Sequence, residues 1–536
     1  MFALAILIEL YGYTIFGIGL LHLLNPLFII VGSTTIYLIA LWYMLKKGNP
    51  GKVVSLAVKY LREIQKDKLS ILLLFILLIQ AFVNLLGALS PEVAFDALWY
   101  HLTIPKIFIE EQSIHFIPGG LFYYSVMPKL IDILYIPSIM LGGEVLAKVV
   151  HFIFGILTLI TIFIFARNYV TSRNALLAAL IFYANPVVAW QSTTAYIDLG
   201  RTFFEFLALV GFIYFQKERS IKWAFESGLM AGAAISTKWL AATSLGIFSI
   251  LFLIQKIKIK DKLRFYGIFI SSSIFVVLPF LFFSFLKTGN PFYPIFSPLY
   301  EVTVGVDILN PFTFLKDTLN VLLFAQDPIS PIYLMTVPLI FIVYKKMSNL
   351  EKTILIYSLL ALTVWYLTPR TGGGRFLMPY LPAFSVLVIF VLVKFKSAFL
   401  KTFFFSVIIL ISIVTVVYRG LAISKFTPYL TGKESKNEFL TDNLNYNFGD
   451  FFDVDNYFER NITENDKVLI YGLHNLYYAN FPFIHESYVK KGDEFNYILT
   501  GLDAKLPERF KDWDLIYHND TSGVKLYTKG KIKWVY

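Results

Sequence analysis

Apolar runs long enough to cross a bilayer alternate along this chain with short polar segments, and that alternation predicts most of the architecture. A helix needs roughly 17 to 25 mostly apolar residues to span the hydrocarbon core. On that criterion thirteen crossings are expected, near residues 2–22, 27–45, 70–90, 145–165, 174–191, 199–216, 222–239, 240–255, 265–286, 322–344, 353–368, 376–393 and 401–420. The first run lacks a basic leader and a convincing small-residue cleavage site, so it is expected to stay as a helix rather than to be removed as a signal peptide. From about residue 421 the runs shorten. Segments 466–472, 495–499, 513–517 and 523–527, each bounded by turn residues, read as strands. The expected fold is mainly α, a polytopic transmembrane bundle with a small C-terminal α/β domain on the outer face. Its parts are an N-terminal hairpin and basic segment (1–68), a helical core (69–420) with an outer loop at 91–144, and the tail domain (421–536).

Charge placement fixes the expected topology. Lys46, Lys47, Lys52, Lys59, Arg62, Lys66 and Lys68 sit in one interruption, Arg167 and Arg173 in another, and Lys217, Arg219 and Lys222 in a third. Further clusters lie at 256–264, at Lys345 and Lys346, and at Lys394 and Lys396. All fall on one side, the cytoplasmic side by the positive-inside rule, provided that residues 130–140 do not cross. That piece is short for a span and carries Pro137. The N-terminus is then cytoplasmic. The outer face receives 91–144, the 191–198 turn, the 287–320 loop, the 368–375 turn and the tail.

Composition agrees with a membrane class. Of 536 residues, 57% are hydrophobic and only 15% charged, which no ordinary soluble domain shows. The net charge of +11 is dispersed among short inter-helix segments, so it reads as a topology signal and not as a nucleic-acid surface. The absence of cysteine removes disulfides, thiolate metal sites and cysteine nucleophiles. No internal repeat is evident, which separates the chain from many secondary transporters.

The candidate chemistry gathers in the outer segments. Glu92, Asp96 and His101 follow directly on an apolar run, and charge kept so close to lipid is a functional hypothesis by default. The bland alternative is a solvated interfacial helix. Glu92 and Asp96 are four apart, which on a helix would put both on one face and allow a divalent cation between them. His101 can add a nitrogen ligand or a substrate hydrogen bond. Asp198 begins a helix, where an Asp is also an ordinary cap. Arg201 and Glu205 follow it and are expected to form a mutual buried pair. Arg375 follows three glycines and can fork onto phosphate oxygens, with Arg370 and Lys238 as further cations. Residues 232–238 lack the glycine before Lys238 and are not a phosphate-binding nucleotide loop.

The ordered set of landmarks resembles the glycosyltransferase C (GT-C) superfamily, especially its protein O-mannosyltransferases and lipid A aminoarabinose transferases. The landmarks are Asp96-Ala-Leu-Trp-Tyr-His101, the stretch from Arg173 to Asn185-Pro186, Thr194-Ala-Tyr-Ile-Asp198, Ser236-Thr-Lys238, Thr288-Gly-Asn-Pro-Phe-Tyr-Pro294 and Gly374-Arg375-Phe-Leu-Met-Pro379. The resemblance implies a sugar donor linked to polyprenyl or dolichyl phosphate, a lipid, glycan or protein acceptor on the outer face, and an inverting displacement in the cell membrane. It implies Asp96 as catalytic base, and Glu92, His101, Asp198, Lys238, Arg370 and Arg375 as substrate-binding groups. A divalent cation is optional in such enzymes, its candidate ligands here being Glu92, Asp96, His101 and Asp198. The competing expectations are a flippase or transporter for lipid-linked saccharides, which would more often place its charges at mid-membrane, and a non-catalytic assembly subunit. The presence of Asp96 weighs against the second.

Overall fold

The computed structural model describes residues 1–46, 48, 50–298, 310–325, 328–368, 373–501, 504–530 and 533–536. Helices occupy the chain up to residue 423: α1 (Phe2–Leu20), α2 (Pro26–Lys46), α3 (Pro50–Gln65), α4 (Lys68–Ala88), α5 (Thr103–Glu110), α6 (Leu130–Arg167), α7 (Ser172–Tyr183), α8 (Pro186–Gln191) and α9 (Asp198–Glu218). There follow α10 (Ile221–Thr237), α11 (Ser244–Leu253), α12 (Ile259–Thr288), α13 (Pro311–Leu323), α14 (Ile332–Val343), α15 (Asn349–Leu367), α16 (Leu381–Val393) and α17 (Ala398–Ile423).

Among the described residues seven helices are long and apolar enough to cross a membrane: α1, α2, α4, α6, α12, α15 and α17. Residues 239–253 and 378–393 form shorter apolar segments. The other six expected crossings fall on shorter, broken or less apolar helices. The run expected at 322–344 is divided between α13 and α14, and 174–191 breaks at Asn185, where Pro186 cannot continue the preceding helix. Residues 240–255 and 376–393 each begin with 3₁₀ turns before the α-helix starts. Within α6 the backbone leaves helical geometry at Gly142 and Gly143, with φ of +62° at Gly143, a conformation glycine adopts without steric cost. Residues 130–141 are thereby set off from the long apolar run 144–167.

Central helices are held by close approach rather than by bulk. A Cβ on Gly228 of α10 would lie 2.3 Å from the carbonyl oxygen of Phe269 in α12, and one on Gly232 would lie 2.5 Å from that of Ser273. The Gly-x-x-x-Gly spacing lets the two backbones touch, and Ser273 Oγ donates to the Gly228 carbonyl at 2.9 Å. α9 is buried along almost its whole length, which is how a membrane helix can carry Asp198, Arg201 and Glu205.

The tail contains β1 (Val468–Tyr471), β2 (Phe483–His485), β3 (Glu494–Phe495), β4 (Tyr497–Thr500), β5 (Asp514–His518), β6 (Lys525–Thr528) and β7 (Trp534–Val535). Five of them form a mixed sheet in the order β2-β1-β4-β6-β5, with β1 parallel to β2 and β4 and the β4-β6-β5 side antiparallel. The tail docks on the segment between α4 and α6. Lys106 Nζ donates at 2.8 Å to the carbonyls of Tyr477 and Ala479 and to Asn480, while Tyr478 Oη donates to the Glu92 carbonyl at 2.9 Å.

Candidate active site

Three helix ends converge where the sequence placed its charges. α4 delivers the loop with Asp96, α9 begins at Asp198, and the 3₁₀ turn Gly373–Phe376 presents Arg375 ahead of α16. Arg375 Nη1 donates to Asp96 Oδ2 at 2.6 Å and Arg375 Nε lies 3.8 Å from Asp198 Oδ2. Lys238, where α10 ends, donates to Asp198 Oδ1 at 2.7 Å. Four residues far apart in sequence thus form one alternating chain of charges, Asp96, Arg375, Asp198, Lys238. Asp198 is sealed at 1% exposure, whereas Asp96 and Arg375 keep 16% and 14%. The outer pair is the accessible one.

Burial opposes the charge on Arg375, but Asp198 and Asp96 outweigh it and hold the guanidinium above its ordinary pKa. The Tyr196 ring lies 4.9 Å from the guanidinium carbon, and Phe376 stacks from 5.4 Å. Tyr196 also accepts from the Asp96 backbone N–H at 3.2 Å, so one tyrosine supports both members of the outer pair. Sequence reasoning missed it: an aromatic in Thr194-Ala-Tyr196-Ile-Asp198 at a membrane edge is indistinguishable from a belt residue. His151 was missed too. It bridges the same turn, with Nδ1 2.8 Å from the Thr194 carbonyl and Nε2 accepting from the Leu199 N–H at 3.0 Å.

The remaining candidates lie beside this chain. Glu92 shares no helix face with Asp96, because residues 91–94 are not helical. Its carboxylate accepts instead from the backbone N–H groups of Val93 and Ala94 at 2.9 Å and of Ala195 at 2.6 Å, tying the loop after α4 to the 191–198 turn. His101, in the π-helical turn Ala97–His101, lies 2.8 Å from Asp132 through Nδ1. Arg370 lies outside the described residues. Among those described, no three His, Asp or Glu side chains gather as a metal-holding group. Glu92 is filled by amides, His101 by Asp132, and the two aspartates by cations, so the four proposed ligands do not fit a shared ion. Arg201 and Glu205 correct another expectation. They make no direct hydrogen bond to each other: Arg201 donates to Tyr380 Oη at 3.0 Å and Glu205 accepts from Tyr357 Oη at 3.0 Å.

A carboxylate and a guanidinium in contact at the mouth of the central helices of a helical membrane bundle mark this end as the candidate site. Residues 136–283 match the family described as dolichyl-phosphate-mannose-protein mannosyltransferase, and the whole bundle shares its fold with solved glycosyltransferase structures. It is similar to ArnT from Cupriavidus metallidurans bound to undecaprenyl phosphate, at 12% identity over 85% of this chain and 97% of that one, with a TM-score of 0.59. It is also similar to the Archaeoglobus fulgidus oligosaccharyltransferase in complex with zinc and sulfate, at 14% identity over 79% and 67% of the two chains, with a TM-score of 0.50. At these identities the likeness is one of fold. No curated protein matches the chain by sequence.

Proposed function

We propose that this chain is an integral membrane glycosyltransferase that moves a sugar from a polyprenyl- or dolichyl-phosphate donor to an acceptor on the extracytoplasmic face of the cell membrane. The observation that carries the reading is the Asp96–Arg375 pair, a base and an anion receptor in contact and accessible from one end of the bundle. In the reaction the acceptor O–H or N–H attacks the anomeric carbon while the bond from that carbon to the phosphate oxygen breaks. A single displacement inverts the centre. The acceptor proton passes to Asp96 and the electron pair leaves with the phosphate, whose charge falls to Arg375 and Lys238. A lipid phosphate competes with Asp96 for the guanidinium, and the exchange frees the carboxylate as donor binds. Tyr196 keeps both groups in register throughout.

Two observations support a lipid-borne donor. The ArnT neighbour is bound to undecaprenyl phosphate. In this chain an apolar cavity of about 140 Å³ between α14, α15 and α16 is lined by Tyr333, Val337, Leu362, Trp365 and Leu377, the last of them two positions along the chain from Arg375, and suits part of an isoprenoid tail. The test is mass spectrometry of glycolipids and glycoproteins from cells with and without the gene. Loss of one sugar decoration is expected, identifying acceptor and sugar together. An unmodified lipid-linked saccharide accumulating on the inner leaflet would assign the chain to flipping instead.

A further inference from the structure

We propose that the opposite, basic end of the bundle carries a binding site for the headgroup of an anionic phospholipid. Six helix ends meet there: the end of α3, the start of α4, the end of α6 with the start of α7, and the two ends at the α16–α17 junction. Between them lies a cavity of about 990 Å³ lined by Glu63, Asp67, Arg167, Arg173 and Lys401. Along α3 it adjoins a second hollow of about 600 Å³, lined by Lys59, Arg62, Lys66 and the shared Glu63. Six cations thus face two carboxylates. Both carboxylates are committed within the protein: Glu63 accepts from Arg167 at 2.8 Å and Ser172 at 2.5 Å, and Asp67 accepts from Arg173 at 2.7 Å. The crevice is left with a positive charge that its own acids do not balance, and an anion is the complementary ligand.

The walls decide between a lipid and a soluble anion. Beside the cations the cavity is bounded by Val393 and Phe405, and α17 continues outward with Phe399 and Phe403 exposed. α3 is amphipathic and exposes Val53, Val54 and Leu61 next to its basic residues. Cations at one level with apolar surface directly alongside match a phosphodiester carrying acyl chains, as in-plane helices and basic clusters do at anionic leaflets. A free phosphate would need only the cations. The 21 residues of α4 put this site about 30 Å from the Asp96 end, so it does not depend on the sugar chemistry there.

The experiment is native mass spectrometry of the full chain, purified in detergent and given equimolar phosphatidylglycerol and phosphatidylcholine. Retention of phosphatidylglycerol over phosphatidylcholine is expected. The triple variant Lys59→Gln, Arg62→Gln, Lys401→Gln should lower phosphatidylglycerol retention roughly tenfold or more, since each basic residue contributes to anionic-lipid binding. None of the three donates a hydrogen bond to Glu63 or Asp67, whose partners are Arg167, Ser172 and Arg173, so melting temperature should change little, and the variant with Lys59→Arg and Lys401→Arg should retain lipid. Equal retention of the two lipids by the wild type, or undiminished phosphatidylglycerol on the triple variant, would overturn the proposal. Displacement of the retained lipid by millimolar inorganic phosphate would overturn it as well, by assigning the crevice to a soluble anion.

Discussion

Arg375 is shared between Asp96 and Asp198, and the sharing determines what a substitution there does. Arg375→Ala should leave Asp198 with Lys238 as its cation, take from Asp96 its salt-bridge partner, and abolish engagement of a lipid phosphate. Arg375→Lys should restore part of it, because an ammonium supplies charge without the planar fork. Binding of a fluorescent polyprenyl phosphate, wild type above Lys above Ala, checks the order. A second residue gives a pH signature. Lys129, buried before α6 and donating to the Tyr124 carbonyl, is pulled by burial from 10.5 to about 7, with Asp132 opposing. Between those pH values the unfolded chain holds a proton that the folded chain does not, so this group makes stability rise with pH. The melting temperature of the wild type should climb relative to Lys129→Met from pH 7 to pH 10; a constant gap would mean that Lys129 is not buried as described. Asp96, Asp198, Lys238 and Arg375, which the structure brings into contact, could each be picked out in the sequence as charges at the edges of apolar runs. The partners of Glu92 and His101 were not. Ala195 and Asp132 are distant in sequence, and nothing in a single chain marks which amide or carboxylate a buried acid or imidazole will meet.

At the scale of elements, length and hydropathy revealed where the helices are better than where they break. Pro186 in 174–191 and the Gly142-Gly143 step in α6 were both visible, yet only the proline interrupts a run that otherwise reads as one crossing. In the tail, β1, β4, β5 and β6 fall on the four segments expected to be strands, whereas β2, a strand of three residues directly after Pro482, is too short to show alternation. The α10–α12 seam was not read from the sequence at all, although its spacing was present. It carries a firm expectation. Gly228→Leu places a side chain where backbone now sits and should cost about 1–3 kcal/mol or more in overpacking. Gly246→Ala, with nothing within 4 Å of the new Cβ, should melt within experimental error of the wild type. Thermal melting in detergent compares the two.

At the scale of the molecule, the basic loops and the candidate site occupy opposite ends of one bundle. Tags in segment 50–65 and near Lys256–Lys262 should report the cytoplasm, and tags after residue 421 the outside. A cytoplasmic tail would break that topology, since Lys106 and Glu92 fasten the tail to the Asp96 loop. The central claim is that Asp96 accepts the acceptor's proton at an outer site whose phosphate is held by Arg375. The direct measurement is sugar transfer by purified protein from a matched lipid-phosphate donor, wild type against Asp96→Asn, with donor binding measured on the same samples. The amide keeps the shape and removes the basicity, so turnover should fall about 10²- to 10⁴-fold with donor binding and protein abundance retained. Near-wild-type turnover by Asp96→Asn would contradict the claim and return the role of base to Asp198 or to a non-enzymatic reading.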